Sequence, residues 1–415
     1  MNTKKISRNM MRQFNQKLIL RVLKDHGPLS KTQLSHITQL TIPAISDILE
    51  ELSYYNLIED YGQTPIKRGR FPILQKLNAD AYKIVGITIE SETIETAIVN
   101  LNGDIFESVT VPLPTLKTPE SVVNEVYRSV HIMFERSNLS RGDLIGAGLG
   151  MHGIVDPVKG ISIYPPHLNW GNVPIAKLLE DKLKLPVKVD NDCNTKALAE
   201  RWFGEGKDVE SFIIVNIDYG IGAGIMLRDQ LFYGGNYGAG QIGHTVVKDD
   251  GPLCSCGNYG CLEAIASEPA LLKEVVIKVK KGFPTKILEL AGSPENISIE
   301  HLYEAAKLND RMAVQLLESA GRFSGIAIST LVNLFNPQRV FITGGILKGG
   351  KHVLTPLYES VKQHSLKPNI KDLNVTPSKL GEAANVLGAT TLWINELFSG
   401  NTPLEKVLDK RVVQD

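Results

Sequence analysis

At 415 residues the chain is long enough for two or three domains. Its 43% hydrophobic and 22% charged content is that of ordinary globular protein. No apolar run approaches the 18 residues of a membrane helix, and the basic N-terminus lacks the apolar core of a signal peptide. A cytoplasmic protein with no membrane partner is therefore expected.

The zero net charge conceals an asymmetry. Residues 1–80 carry twelve Lys/Arg against seven Asp/Glu, and the first 24 carry seven basic side chains and no acid. A basic head on an acidic body points to an anionic partner for the head alone.

The head, 1–80, reads as three helices and two strands. Phe14, Leu18 and Val22 recur every four residues, with Ile19 beside them, and predict a helix over 10–24 that Gly27 and Pro28 end. Ser30 followed by Gln33 is a capping-box pattern for a short second helix with Leu34 and Ile37 inside. Thr41 can cap a third helix that has Pro43 in its first turn and Ile45, Ile48, Leu49 and Leu52 inside. Two short helices joined by a turn form a helix-turn-helix, which would place Thr41, Pro43, Ala44 and Ser46 towards DNA bases. Residues 57–61 and 73–77 read as strands of a wing. Lys67, Arg68 and Arg70 lie between them on a Gly69-loosened loop suited to a narrow minor groove. The competing reading is a helical protein-interaction module with a solvated basic face.

The body alternates strand groups with helices. Strands are expected at 84–89, 93–99, 109–111 and 144–149, with a helix over 119–136. A second cycle has strands at 212–217 and 222–227 and helices near 269–281, 298–308 and 312–332, then a strand at 340–343 ending in Gly344 and Gly345. The body is thus expected to be two-lobed α/β, with 81–198 the first lobe and 199–382 the second. The helix near 383–398 returns to the first lobe, and 399–415 forms a tail with a short amphipathic helix. The cleft between lobes is the default ligand site.

Val187–Asn191 ends a strand with Asn191 and Asp192, which could fork around adjacent hydroxyls. Such a pair more often caps a helix, and Asp192 or Asn194 could cap one over 195–203. The glycine-rich 219–224 hairpin could cradle phosphate, although alone it is more often a plain turn. The stretch 241–263 is more specific. Cys254, Cys256 and Cys261 fall within eight residues, ten or more after His244, and three thiolates with one imidazole suit tetrahedral zinc. Gly257 and Gly260 let the loop turn. A disulfide framework fails on parity, and a zinc finger would need a second histidine.

Taken together these residues resemble the ROK family of repressors, open reading frames and sugar kinases, over nearly the whole chain. The carrying motif is Gly243-His244 with Cys254-Ser255-Cys256-Gly257-Asn258-Tyr259-Gly260-Cys261-Leu262-Glu263. The resemblance implies a winged helix-turn-helix followed by an actin-like, ribonuclease H-like sugar-kinase body with a structural zinc loop. It makes His244, Cys254, Cys256 and Cys261 the zinc ligands. It makes Gly153, Asn169, Asn191, Asp192, Gln241, His244 and Glu263 the sugar pocket, with Asp192 at the position of the kinase base. Residues 164–170 and 189–192 look closer to xylose-type regulators and sugar kinases than to the family's glucose-responsive regulator.

The departures favour a regulator. Where family kinases carry Asp-x-Gly-Gly-Thr, this chain has Thr88, Ile89, Glu90, Ser91 and Glu92. Thr88 replaces the carboxylate that would serve magnesium, and Glu90 would repel phosphate, so no ATP is expected. Asp218 and Tyr219 add charge and bulk to the second phosphate turn. Gln241 stands where the kinases have glutamate, so the choice of sugar cannot be inherited from a relative. The expectation is a non-enzymatic, sugar-responsive repressor that binds operator DNA as a homodimer or tetramer, released or modulated by a free or phosphorylated monosaccharide. The alternatives are an ATP-dependent sugar kinase with a DNA-binding head, and a scaffold for a regulatory protein partner.

Overall fold

The computed structural model describes residues 8–63, 73–137, 139, 141–168, 170–400 and 402–408. The chain forms two compact units, Met1–Asp190 with Ala389–Asp415, and Asn191–Gly388. The basic head and the first α/β layer thus belong to one unit, and the divisions fall at 190 and 388 where the sequence reading drew lobe boundaries at 198 and 382.

In the first unit α1 (Arg8–His26) is followed by the two-residue β1 (Leu29–Ser30), α2 (Lys31–Thr38), α3 (Ile42–Tyr54), β2 (Ile58–Gln63) and β3 (Ile73–Leu77). The three strands pair in the order β1-β3-β2. Ser30 and Gln33 form the expected capping box, Ser30 Oγ accepting from Gln33 N and Gln33 Oε1 from Ser30 N. Thr41 caps α3, with Pro43 in its first turn and Ile45, Ile48, Leu49 and Leu52 buried. Two inner faces differ from the expectation. On α1, Phe14 is 64% exposed while Ile19, Leu20 and Leu23 are buried. The helix is rotated because Gln16 and Lys17 point inward to polar partners, Glu51 on α3 and the carbonyls of Glu396 and Gly400. A hydrophobic period cannot register that choice. On α2, Leu34 is buried but Ile37 is exposed.

The first α/β layer comprises β4 (Lys83–Ile89), β5 (Thr93–Asn100), β6 (Ile105–Pro112), α4 (Pro119–Ser137), β7 (Leu144–Met151), the β8–β9 hairpin (Ile154–Asp156, Ile161–Tyr164), α5 (Ile175–Leu183) and β10 (Val187–Asn191). Its sheet runs β10-β7-β4-β5-β6. β4 pairs antiparallel with β5 and parallel with β7. β4 and β7 read as near-continuous apolar runs because they are central and covered.

The second unit holds α6 (Asp192–Phe203), β11 (Phe212–Ile217), β12 (Ile221–Leu227), β13 (Gln230–Leu231), α7 (Glu263–Ala266), α8 (Glu268–Lys280), α9 (Lys286–Ala291), α10 (Ile299–Lys307), α11 (Arg311–Phe335), β14 (Arg339–Thr343), α12 (Lys351–His364), α13 (Lys367–Ile370) and β15 (Asn374–Pro377). The sheet order is β13-β12-β11-β14-β15, antiparallel between β11 and β12 and parallel between β11 and β14. The long α11 packs on α12 with Gly321 and Gly325 against the carbonyls of Val353 and Leu357, where a Cβ would collide. The sequence reading named Asp192 or Asn194 as the cap of the helix after β10. The cap is Asn191, whose Oδ1 accepts from Cys193 N and Asn194 N, and the helix begins at Asp192.

The chain then enters α14 (Ala384–Phe398), which rejoins the first unit, and ends its described part in α15 (Leu404–Leu408). Gly148 of β7 lies against the backbone of Ala389 and Gly146 against the Trp393 ring. Trp393 Nε1 donates to Ala147 O at 2.9 Å. Glycines at 146 and 148 thus give α14 a strand surface flat enough for close approach. Leu404 and Val407 are buried, and Pro403 and Leu404 share a pocket with Arg12, Gln16, Glu51 and Tyr55 of the head. Residues 409–415 of the expected tail lie outside the described residues.

Candidate functional site

The four potential metal-ligand side chains converge. The donor atoms of His244, Cys254, Cys256 and Cys261 all lie within 4.8 Å of one another. Cys256 Sγ is 3.7 Å from Cys261 Sγ, and Cys254 Sγ is 3.6 Å from His244 Nδ1. A disulfide would require about 2.05 Å. A tetrahedral ion with sulfur at ~2.3 Å and nitrogen at ~2.0 Å requires S–S and S–N separations of roughly 3.8 and 3.5 Å. The cluster fits that requirement. Its loop is built by short backbone bridges: Val246 pairs with Cys261 and Leu253 with Tyr259, and Gly257 and Gly260 turn at φ values of 93° and 73°. The Asn258 backbone amide pulls the Cys256 thiol below its ordinary range, whereas burial pushes Cys261 up to about 12. A bound cation is what would release all three thiol protons together.

The same loop places Gln241, His244 and Glu263 at one end of β12. Gly243 packs against the Ile221 carbonyl. Glu263, at the start of α7, accepts from Ile221 N at 3.1 Å through Oε2. Gln241 precedes the single turn 242–244, and its carbonyl accepts from His244 N. The Asn191–Asp192 pair reaches the same strand, because the neighbouring Cys193 packs on Gly222. Asn191 Nδ2 donates to Asp192 Oδ1 at 2.9 Å, and Asp192 Oδ2 lies 3.8 Å from Lys196 Nζ. Lys196 was missed in the sequence, although its i,i+4 spacing from Asp192 was readable there. Gly153 belongs to the first unit, with φ 90° and the Tyr164 carbonyl directly beneath it. Asn169 lies outside the described residues.

Around the second glycine turn the chemistry is carboxylate. Gly345 N donates to Asp218 Oδ2 at 3.2 Å, Glu268 N to the Asp218 carbonyl at 3.0 Å, and Tyr303 to Glu268 Oε1 at 2.8 Å. Burial, followed by the Asp218 charge, raises Glu268 to about 7. Burial also drives the Tyr303 hydroxyl upward. Glu268 and Tyr303 gave no sequence signal, since they meet only through folding.

In the head, Thr41 Oγ1 faces Ala44 N at 3.5 Å, and Thr41 and Pro43 are exposed at the start of α3. Ala44 and Ser46 are half-buried, and Ser46 Oγ accepts from Lys31 Nζ at 3.0 Å. Lys67, Arg68 and Arg70 lie outside the described residues. Among the described residues no helix is long and apolar enough to cross a membrane.

The chain matches the ROK family over residues 84–396, which is most of its length. It belongs to that family. It is 30% identical to a protein named xylose repressor from Caldicellulosiruptor bescii, over 94% of this chain and 98% of that one. The crystal structure of a ROK family transcriptional regulator, described as a homologue of the E. coli MLC protein, superposes with a TM-score of 0.83 at 27% identity, covering 96% of this chain and 99% of the other. A ROK family glucokinase from Streptomyces griseus, solved with glucose and AMPPNP, superposes with a TM-score of 0.68 at 29% identity, covering 75% of this chain and 98% of that one.

Proposed function

We propose that this protein is a sugar-responsive transcriptional repressor of carbohydrate-utilisation genes. The observation that carries the reading is the extent of the likeness. It spans 94–96% of the chain for a xylose repressor and a transcriptional regulator, against 75% for a glucokinase. The head that the kinase likeness does not require has three helices and three strands, with an exposed α3 N-terminus and a basic first helix.

In this reading the head is a winged helix-turn-helix. Thr41, Pro43, Ala44 and Ser46 meet base edges, and Lys67, Arg68 and Arg70 meet the backbone or minor groove. A homodimer would match a palindromic operator. A monosaccharide is held by Asn191, Asp192, Gln241, His244 and Glu263. Zinc is the cation of the His244–Cys254–Cys256–Cys261 cluster, holding the loop that presents His244 and Glu263. The sugar changes operator affinity only if it binds one state of the protein more tightly than the other. Such a protein works in the cytoplasm, where its operator is.

The phosphate side supports a binder without turnover. Thr88 is buried with no hydrogen-bond partner for Oγ1, and no carboxylate is supplied at that position. Glu90 and Ser91 replace glycines. The Asp218 carboxylate already occupies the Gly345 N–H that an anion would seek.

The test begins by selecting duplexes from a random pool with the full-length protein. The bound DNA is then challenged with xylose, glucose, N-acetylglucosamine and the 6-phosphates of the two hexoses. Release by one of them is expected. ATP- and magnesium-dependent phosphorylation of any of these sugars would overturn the reading, and DNA release only on addition of a second protein would replace the sugar as the signal.

A further inference from the structure

Lys196 stands one helical turn after Asp192 on α6. Its Nζ lies 3.8 Å from Asp192 Oδ2, and its side chain is only 8% exposed. Oδ1 of the same carboxylate accepts from Asn191 Nδ2. α6 is buried continuously from Cys193 to Trp202. Pairs at this spacing are common on helix surfaces and contribute little there. Lys177 with Asp181, both more than half exposed, is such a pair. Lys196 differs because an ammonium taken out of water is costly unless an opposite charge meets it, and an apolar side chain would fill the same space without that cost. The residue it meets is the carboxylate read as a sugar contact.

We infer that Lys196 is a positioning residue for Asp192, and that the ligand presents a free hydroxyl, not a phosphate ester, to that carboxylate. The inference rests on the reading of Asp192 as a sugar contact. With the Lys196 ammonium 3.8 Å from one oxygen and Asn191 donating to the other, the carboxylate is held from both sides. It accepts hydrogen bonds and donates none. A sugar hydroxyl suits it. A phosphate placed there would meet a like charge, with Lys196 already committed to Asp192.

Two measurements on the full chain test this, using Lys196→Met, Lys196→Arg, Asp192→Asn and the Lys196→Met/Asp192→Asn double variant. In urea unfolding, Lys196→Met should lower the midpoint and Asp192→Asn added to it should restore part of the loss, because the unpaired charge is gone. Strictly additive effects would overturn the pairing. Calorimetric titration with xylose, glucose, N-acetylglucosamine, glucose 6-phosphate and N-acetylglucosamine 6-phosphate gives the second readout. A free sugar should bind, and Lys196→Met should weaken it about tenfold, as expected for losing a charge-assisted arrangement. Lys196→Arg should recover most of the affinity, and in the Asp192→Asn background Lys196→Met should add nothing. Tighter binding of a phosphate ester than of its parent sugar would overturn the ligand assignment. Coupled unfolding with sugar affinity indifferent to Asp192→Asn would instead overturn the reading of the site, and the role of Lys196 in it.

Discussion

Lys17 Nζ donates to the backbone carbonyl of Glu396 at 2.6 Å, which ties the first helix of the head to the last turn of α14. The same ammonium reaches the Gly400 carbonyl at 2.6 Å. The Glu396 side chain is itself held by Lys188 at 3.0 Å, three residues before Asn191 on β10. Lys24 makes a second tie, donating to the Leu101 carbonyl at 2.8 Å. Lys17 and Lys24 of α1 thus fasten the head to the rest of its unit.

Lys17→Met leaves two helix-end carbonyls without their donor and should cost about 1–3 kcal/mol. Burial pushes the Lys17 ammonium down to about 8. Between that value and the ordinary lysine value the unfolded chain binds more protons than the folded one, so this residue makes stability rise with pH across that window. Thermal melts from pH 7 to 10 should show the increment in the native protein and its loss in Lys17→Met. An unchanged slope in the variant would exclude Lys17 as its source.

Metal removal should act on the sugar response before it acts on DNA. The Cys256→Ser protein, or native protein dialysed against chelator, should lose the bound ion by elemental analysis and lose sugar-dependent release. Operator affinity without sugar should stay within about threefold, since the cluster and the head belong to different compact units. Full sugar affinity in metal-free Cys256→Ser protein would show that the loop does not need the ion to present His244 and Glu263.

The Asp218–Glu268 pair predicts a second pH effect, of opposite sign. Glu268 is raised to about 7, above its unfolded value, so the folded chain binds the extra proton between roughly the ordinary glutamate range and pH 7. Stability falls as pH rises through that window. Glu268→Gln keeps an acceptor for Tyr303 and removes the ionisation, so its denaturation midpoint should be flatter between pH 4.5 and 7 than that of the native protein.

Local chemistry made much of this chain legible. The Ser30–Gln33 box, the Thr41 cap, the central strands and the Cys–His cluster all announce themselves by spacing, because each is decided within a few residues. Contacts made over long separations left no such trace. Phe14 looked like core because helical periodicity ignores that Gln16 and Lys17 find polar partners 35 and 379 residues away. Glu268 and Tyr303, 35 residues apart, have no shared pattern. Lys196 is a different kind of miss. Its spacing from Asp192 was plain, but only burial distinguishes it from a surface pair.

The fourth cysteine has a practical consequence. Cys193, in the first turn of α6, is buried against Gly222, and burial raises its thiol well above the ordinary range. Cys254 and Cys261 are buried as well, so an alkylating reagent applied to the native chain meets Cys256 first, and a metal ion held by the cluster would shield that thiol. The rate at which Cys256 is alkylated before and after chelation, with denaturant, where all four react, as the full count, would measure metal occupancy in a sample with no label added to the protein.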